Sequence, residues 1–144
     1  MSHRDAALPL VYSCSGCSSA AQTANAAALE LDSRGSAEMS CIAGVGGGVA
    51  PLVRLARSGR TIIAIDGCAL ACVRHCLAQQ GVEPTHHVLL PQMGVKKKYH
   101  TRHDQQQAVR VARAVEAMLS PQAAAEGSAH AIGAAPQTIE EITT

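Results

Sequence analysis

The sequence has almost no aromatic residues. Tyr12 and Tyr99 are the whole aromatic set, 1% of 144 residues, and phenylalanine and tryptophan are absent. Proteins that hold single-stranded nucleic acid stack the bases on aromatic side chains, so this composition argues against that class. A formal net charge of +1 also gives no long-range field to attract polyanions or acidic lipids. We therefore expect no nucleic-acid partner, and we expect any anion site to be local.

Long hydrophobic runs are missing as well. The N-terminal residues lead into one short apolar run, Leu8–Tyr12, and nothing approaches the ~18 consecutive apolar residues of a transmembrane helix. We therefore predict a cytoplasmic protein that does not enter membranes. Thiols stay reduced in the cytoplasm, so the six cysteines predict metal ligands, catalytic thiols or buried side chains rather than disulfides.

The remaining composition is that of one folded domain. Hydrophobic residues make up 47% of the chain and charged residues 16%, which is enough apolar surface to form a core. The length also fits a single domain of roughly 100 to 200 residues. We assign residues 1–7 to an N-terminal extension, 8–120 to the domain, and 121–144 to a flexible tail containing Ala, Gly and Pro, with a short helix near Ile139–Ile142.

Strand-like apolar runs alternate with helical patterns through the domain. The predicted strands are Leu8–Tyr12, Ala37–Ala43, Thr61–Ile65 and His87–Leu90. The predicted helices are Ala20–Leu31, one that starts at Pro51, Ala69–Leu77 and one capped by Asp104 that runs through Leu119. Strict alternation implies parallel strands joined by right-handed crossovers. We predict a three-layer α/β/α sandwich around a small, mainly parallel four-stranded sheet.

Cysteines follow the predicted strands. Cys14 and Cys17 come after the first strand, Cys41 lies at the end of the second, and Cys68 follows the third. Ligands of open parallel sheets bind beyond the carboxyl ends of the strands, so these thiols can converge at one edge. The turn of a CxxC pair aims two sulfurs at one ion, and two more thiolates would complete a tetrahedral site.

Three kinds of thiol chemistry fit this pattern. The first is a zinc site formed by Cys14, Cys17, Cys41 and Cys68. The second is an iron-sulfur cluster on the same cysteines, because four thiolates serve either group. The third is a dithiol redox pair of Cys14 and Cys17 with Cys68 as a resolving thiol, since a helix N-terminus favours the thiolate. The residues alone leave the three open.

Two further cysteines fall on an apolar helical stripe with Ala69, Val73 and Leu77. The spacing predicts core packing for Cys72 and Cys76. Cys72 lies about 5.4 Å, one turn, into the helix, so it is the reserve metal ligand. His75 points off this stripe and is expected to be solvated.

Polar residues at other positions have weaker signals. Asp66 ends a buried strand, where it can cap a turn or pair with a cation or a metal-bound group. Lys96, Lys97 and His100 belong to a basic run that predicts a solvated face, or else a site for a small anionic ligand.

Several motifs occur in a characteristic order. They are Cys14-Ser-Gly-Cys17-Ser, Met39-Ser-Cys41-Ile-Ala-Gly-Val-Gly-Gly47, Asp66-Gly67-Cys68 with Cys72 and Cys76, and Gly94-Val95-Lys96-Lys97 with His100. Together they resemble the DGC-domain family of zinc-binding proteins, over about Leu10–Met118. The resemblance implies a small α/β protein whose cysteines bind zinc, and it implies no particular reaction or substrate.

Overall fold

A computed structural model describes residues 8–120 of the chain. The proposed N-terminal extension and the tail, with its short helix at Ile139–Ile142, lie outside the described residues. The strands are β1 (Leu10–Ser13), β2 (Glu38–Met39), β3 (Ile62–Asp66) and β4 (His86–Leu89). The helices are α1 (Ser19–Ser33), α2 (Ile42–Gly46), α3 (Ala50–Ala56), α4 (Cys72–Gln79) and α5 (Gln105–Leu119), with a 3₁₀ turn at Leu90–Met93.

The four strands form one parallel sheet in the order β2-β1-β3-β4. In the register, Val11 lies between Met39 and Ile63, and Ile65 lies beside Val88. Every residue of β1 and β3 is buried, as expected for strands covered on both faces. The predicted α/β fold with a small parallel sheet is confirmed.

The strand order determines which face of the sheet each helix covers. The chain moves from β1 outward to β2, then returns across β1 to β3 and continues to β4. Because parallel crossovers are right-handed, this reversal puts α1 on one face and the helices α2, α3 and α4 on the other. The packing agrees, since α1 contacts β1 and α5, whereas α4 contacts β3 and α2. The direction changes between β1 and β3, which is where ligand crevices form in such sheets.

Helix ends follow from local chemistry. Ser18 caps α1 by accepting a hydrogen bond from the Ala21 amide, and Asp104 caps α5 by accepting one from Gln106, as predicted for Asp104. Gly35 follows α1 with a φ of +72°, a conformation that glycine adopts without strain. On α5, Ala108, Ala112 and Val115 are buried, and Leu119 is partly buried against the core.

The second predicted strand, Ala37–Ala43, is too long. Only Glu38–Met39 pairs with β1, and Cys41 is the N-cap of the short helix α2. The Cys41 sulfur accepts a hydrogen bond from the Gly44 amide at 3.4 Å, which replaces strand pairing with a helix start. An apolar run of this length is ambiguous between strand and buried helix.

The predicted helix Ala69–Leu77 begins three residues later than expected. Residues 68–71 form a turn, in which the Ala71 amide donates to the Cys68 carbonyl at 3.1 Å and Ala71 has a φ of +51°. α4 therefore starts at Cys72. None of the helices in residues 8–120 has the length and apolar character needed to cross a membrane.

Candidate functional site

The carboxylate of Asp66, at the end of β3, forms hydrogen bonds with α4 and β4. It is 1% exposed, and its Oδ1 accepts from the Val73 amide at 2.9 Å while Oδ2 accepts from the Arg74 amide at 3.4 Å. His87 Nε2 on β4 lies 2.7 Å from Oδ2. Asp66 thus caps the first turn of α4. The sequence also indicated a cation as one kind of partner, and the side chain that fills this place is His87, which is cationic when protonated. Sequence reasoning missed this partner, because only the β3–β4 register brings the two together.

The next residue must be glycine for steric reasons. A Cβ at Gly67 would lie 2.7 Å from the Ala20 carbonyl carbon and 2.8 Å from the Ala21 nitrogen, both backbone atoms at the start of α1. The close approach lets the Gly67 amide donate a hydrogen bond to Cys14 Sγ at 3.2 Å. The turn after β3 is thereby fixed against the end of β1.

Cys14 is a buried thiol, 9% exposed. Its pKa is raised to about 11, chiefly by burial. The Gly67 hydrogen bond partly opposes this shift, and negative charge on Asp66, Cys72 and Cys68 adds to it. Cys68 and Cys72 are thus two of the groups whose negative charge acts on the Cys14 sulfur. The thiol is therefore protonated at neutral pH unless a cation compensates its charge.

Cys68 lies beside a lysine from the loop that follows β4. Lys97 Nζ donates to Cys68 Sγ at 3.6 Å and lies 5.2 Å from the centre of the Tyr99 ring. The pKa of Lys97 is raised, first by the Tyr99 side chain and then by the charge of Cys68. The predicted anion-binding lysine thus faces a thiol, which the linear sequence did not indicate.

The prediction of core packing for Cys72 is wrong. Cys72 is exposed as the first residue of α4, and only Val73 and Leu77 of the predicted stripe are buried. Cys76 is half-buried, and a Cβ at Gly46 of α2 would lie 3.0 Å from its sulfur. Burial raises the pKa of Cys76, and the charge of Cys72 adds to the effect. His75 is exposed, as expected.

The other two proposed ligands have separate surroundings. Cys17 is exposed in the turn between β1 and α1. Cys41 is exposed, its sulfur accepts from Gly44, and its charge contributes to the raised pKa of Tyr12, a pKa raised chiefly by burial. Cys41 therefore interacts with α2 and Tyr12, whereas the charges of Cys68 and Cys72 act on Cys14.

All six cysteines are free thiols. Within residues 8–120, no group of three or more Cys, His, Asp or Glu side chains is arranged to hold a metal ion. The donor chemistry nevertheless suits a soft metal, because thiols are soft ligands and an amide already supports the Cys14 sulfur. The charges of Cys68 and Cys72 also act on Cys14. Coordination would require the exposed thiols to reorient.

The fold and site define a small parallel α/β protein with free cysteines after the carboxyl ends of its strands. Residues 10–115 match the DGC domain, and the chain belongs to this family. A relative in Pseudomonas aeruginosa strain PAO1, the "Anaerobic and virulence modulator AnvM", is 56% identical over 117 residues, which cover 81% of this chain and 89% of the relative. No solved structure matches the chain.

Proposed function

We propose that the protein binds zinc through cysteine thiolates at the carboxyl edge of the sheet. The observation that carries the proposal is the hydrogen bond from the Gly67 amide to Cys14 Sγ, which holds the turn that leads into Cys68 against the end of β1. The charges of Cys68 and Cys72 also act on this sulfur. Cys17, three residues after Cys14 and exposed, is the fourth thiol we assign. Cys41 is the alternative fourth ligand, because the sequence pattern also includes it.

The residues around these thiols supply what a thiolate site needs. The Gly67 amide stabilises charge on Cys14, and the Lys97 ammonium does the same for Cys68. Asp66 fixes the start of α4 and so positions Cys72. Bound zinc would supply folding energy in a closed four-thiolate sphere, or a Lewis acid if one position stayed open.

The buried thiol weighs against a dithiol enzyme in which Cys14 is the attacking thiol. The attacking species in thiol exchange is the thiolate, and Cys14, whose pKa is about 11, is almost entirely protonated near neutral pH. A metal cation compensates this penalty directly, since binding releases the thiol proton. An iron-sulfur cluster would use the same thiols and is distinguished by its colour.

A regulatory role fits a cysteine-thiolate metal site in this protein better than a catalytic role does. The relative is named "Anaerobic and virulence modulator", a name that states no reaction. A thiolate site changes state on oxidation, which links it to oxygen supply. We therefore propose that the change between the metal-bound and the metal-free state, rather than a catalysed reaction, provides the function of this protein in the cytoplasm.

The test is metal analysis of anaerobically purified protein. We expect about one zinc per chain by mass spectrometry of the metal and the native protein, no visible colour, and thiols that react only after chelation. Cys68→Ser and Cys72→Ser should each weaken zinc binding tenfold or more. Cys76→Ser is the matched control, one helical turn further on, and should leave the affinity unchanged.

Three outcomes would contradict the proposal in different ways. A protein that takes up no zinc at saturating metal, with all thiols titrating freely, overturns metal binding. A brown protein containing iron and sulfide replaces zinc with a cluster. If Cys41→Ser loses zinc and Cys17→Ser keeps it, the protein still binds zinc, but its fourth ligand is Cys41 and not Cys17.

A further inference from the structure

A second polar site lies away from the thiols, between the start of α1 and the loop that leads to α5. It is a cleft of about 210 Å³ whose lining includes Lys96, Lys98, Arg102, His103 and Asp104. Ser19 and Thr23 of α1 form its other wall. The volume is below the 300–1,000 Å³ typical of pockets for drug-sized ligands, so the cleft suits a small molecule.

The charges of this cleft are unbalanced. Lys96, Lys98 and Arg102 are exposed, and within residues 8–120 none of their side chains makes an ion pair or a side-chain hydrogen bond. The one carboxylate, Asp104, already accepts a hydrogen bond from the Gln106 amide as the cap of α5. Three cations therefore face a single carboxylate, which is itself engaged with a helix start.

The backbone of the basic loop fixes the position of one of these cations, Lys98. The Lys98 amide donates to Ser19 Oγ at 3.0 Å, and the Lys98 carbonyl accepts from the Ser19 amide at 2.8 Å. Lys96 and Lys98 line the cleft, whereas Lys97 between them reaches Cys68. Successive side chains of an extended segment point to opposite sides, so the loop divides its lysines between two sites.

We propose that this cleft binds a small phosphate-bearing anion, either inorganic phosphate or a phosphomonoester. The three cations supply charge-assisted donors for the phosphate oxygens, with Arg102 able to donate through two nitrogens at once. His103 adds a further donor from the first residues before α5. The loop between β4 and α5 thus serves two sites, because Lys97 contacts Cys68 whereas Lys96 and Lys98 line the anion cleft.

The scarcity of aromatic side chains argues against a ligand that contains a nucleobase. Among residues 8–120, no aromatic ring other than the His103 imidazole lines the cleft, so a nucleobase would have little to stack on. A phosphate on a small aliphatic or polar body fits both the charge and the volume. Such a ligand would be held mainly by its phosphate.

The test is a titration of the full chain with inorganic phosphate, at constant ionic strength, followed by amide NMR. We expect saturable shifts confined to residues 94–104 and the start of α1. Lys96→Gln, Lys98→Gln and Arg102→Gln should each weaken phosphate binding about three- to tenfold. Arg54→Gln is the matched control, because Arg54 is exposed on α3 and lies outside the cleft.

Comparing two ligands and one control variant distinguishes the possible results. Tighter binding of glycerol phosphate than of inorganic phosphate identifies a phosphomonoester, and equal binding identifies the free anion. Absence of saturable shifts overturns the site, as does an Arg54→Gln effect as large as that of Lys98→Gln, which would mean general charge attraction. The amide spectrum of each variant also shows whether it is folded.

Discussion

His87 Nε2 lies 2.7 Å from Oδ2 of Asp66, so two neighbouring strands share one buried carboxylate with the first turn of α4. A buried carboxylate with three donors stabilises a fold only while all its partners are present, because an unmatched polar group in the interior is costly. This contact therefore determines how firmly the cysteine-bearing turn is held.

Asp66→Ala should lower the free energy of unfolding by about 2–4 kcal/mol, because it removes a helix cap and leaves His87 without its partner. Urea denaturation of the metal-free protein measures the change. His75→Gln on the exposed face of α4 is the control and should change stability by less than about 0.5 kcal/mol. Equal stability of Asp66→Ala and wild type would show that the contact is not formed in solution.

Gly67→Ala should destabilise the protein by about 1–3 kcal/mol, since its Cβ would meet the backbone of Ala20 and the turn would have to move away from α1. Gly44→Ala offers a comparison, because its Cβ would meet only the Leu52 side chain, which can rotate. We expect the smaller loss there. Thermal unfolding ranks the two variants, and the reverse order would refute the steric argument.

Alkylation of the metal-free protein should modify Cys14 last of the six cysteines. Its sulfur is buried and its pKa is raised to about 11, so both access and the thiolate fraction are low at pH 7.5. Cys17, which is exposed, should react much faster. Time-resolved peptide mass spectrometry follows each site, and early labelling of Cys14 would contradict its placement.

The stability of the metal-free protein should fall at alkaline pH as Cys14 ionises. Its pKa is about 11 in the folded chain against an ordinary value of 9.0, so its contribution is complete below pH 9 and is lost as the pH rises through 11. A shift of this size is worth roughly 2–3 kcal/mol. Cys14→Ser does not titrate in this range, and the difference between its unfolding curve and that of wild type isolates the effect from Tyr12 and Cys76. Parallel curves would disprove it.

Local sequence patterns were sufficient for most elements. The β-branched run after Gly59 gave a buried strand, and Asp104 gave a helix cap, because both depend on neighbours within a few residues. The boundaries of α4 could not be found this way. Its apolar spacing fits a helix from Ala69, but the left-handed Ala71 and the Asp66 cap delay its start to Cys72.

The sequence by itself determined the alternation of strands and helices, and with it the delivery of Cys14 and of Asp66-Gly67-Cys68 to one edge of a parallel sheet. Periodicity and turn chemistry act over short stretches, so they can be read along the chain. Only the tertiary structure decided which groups meet there. The pairing of Asp66 with His87, of Gly67 with Cys14 and of Lys97 with Cys68 depends on strand register and loop path. Those are fixed by packing between residues far apart in sequence.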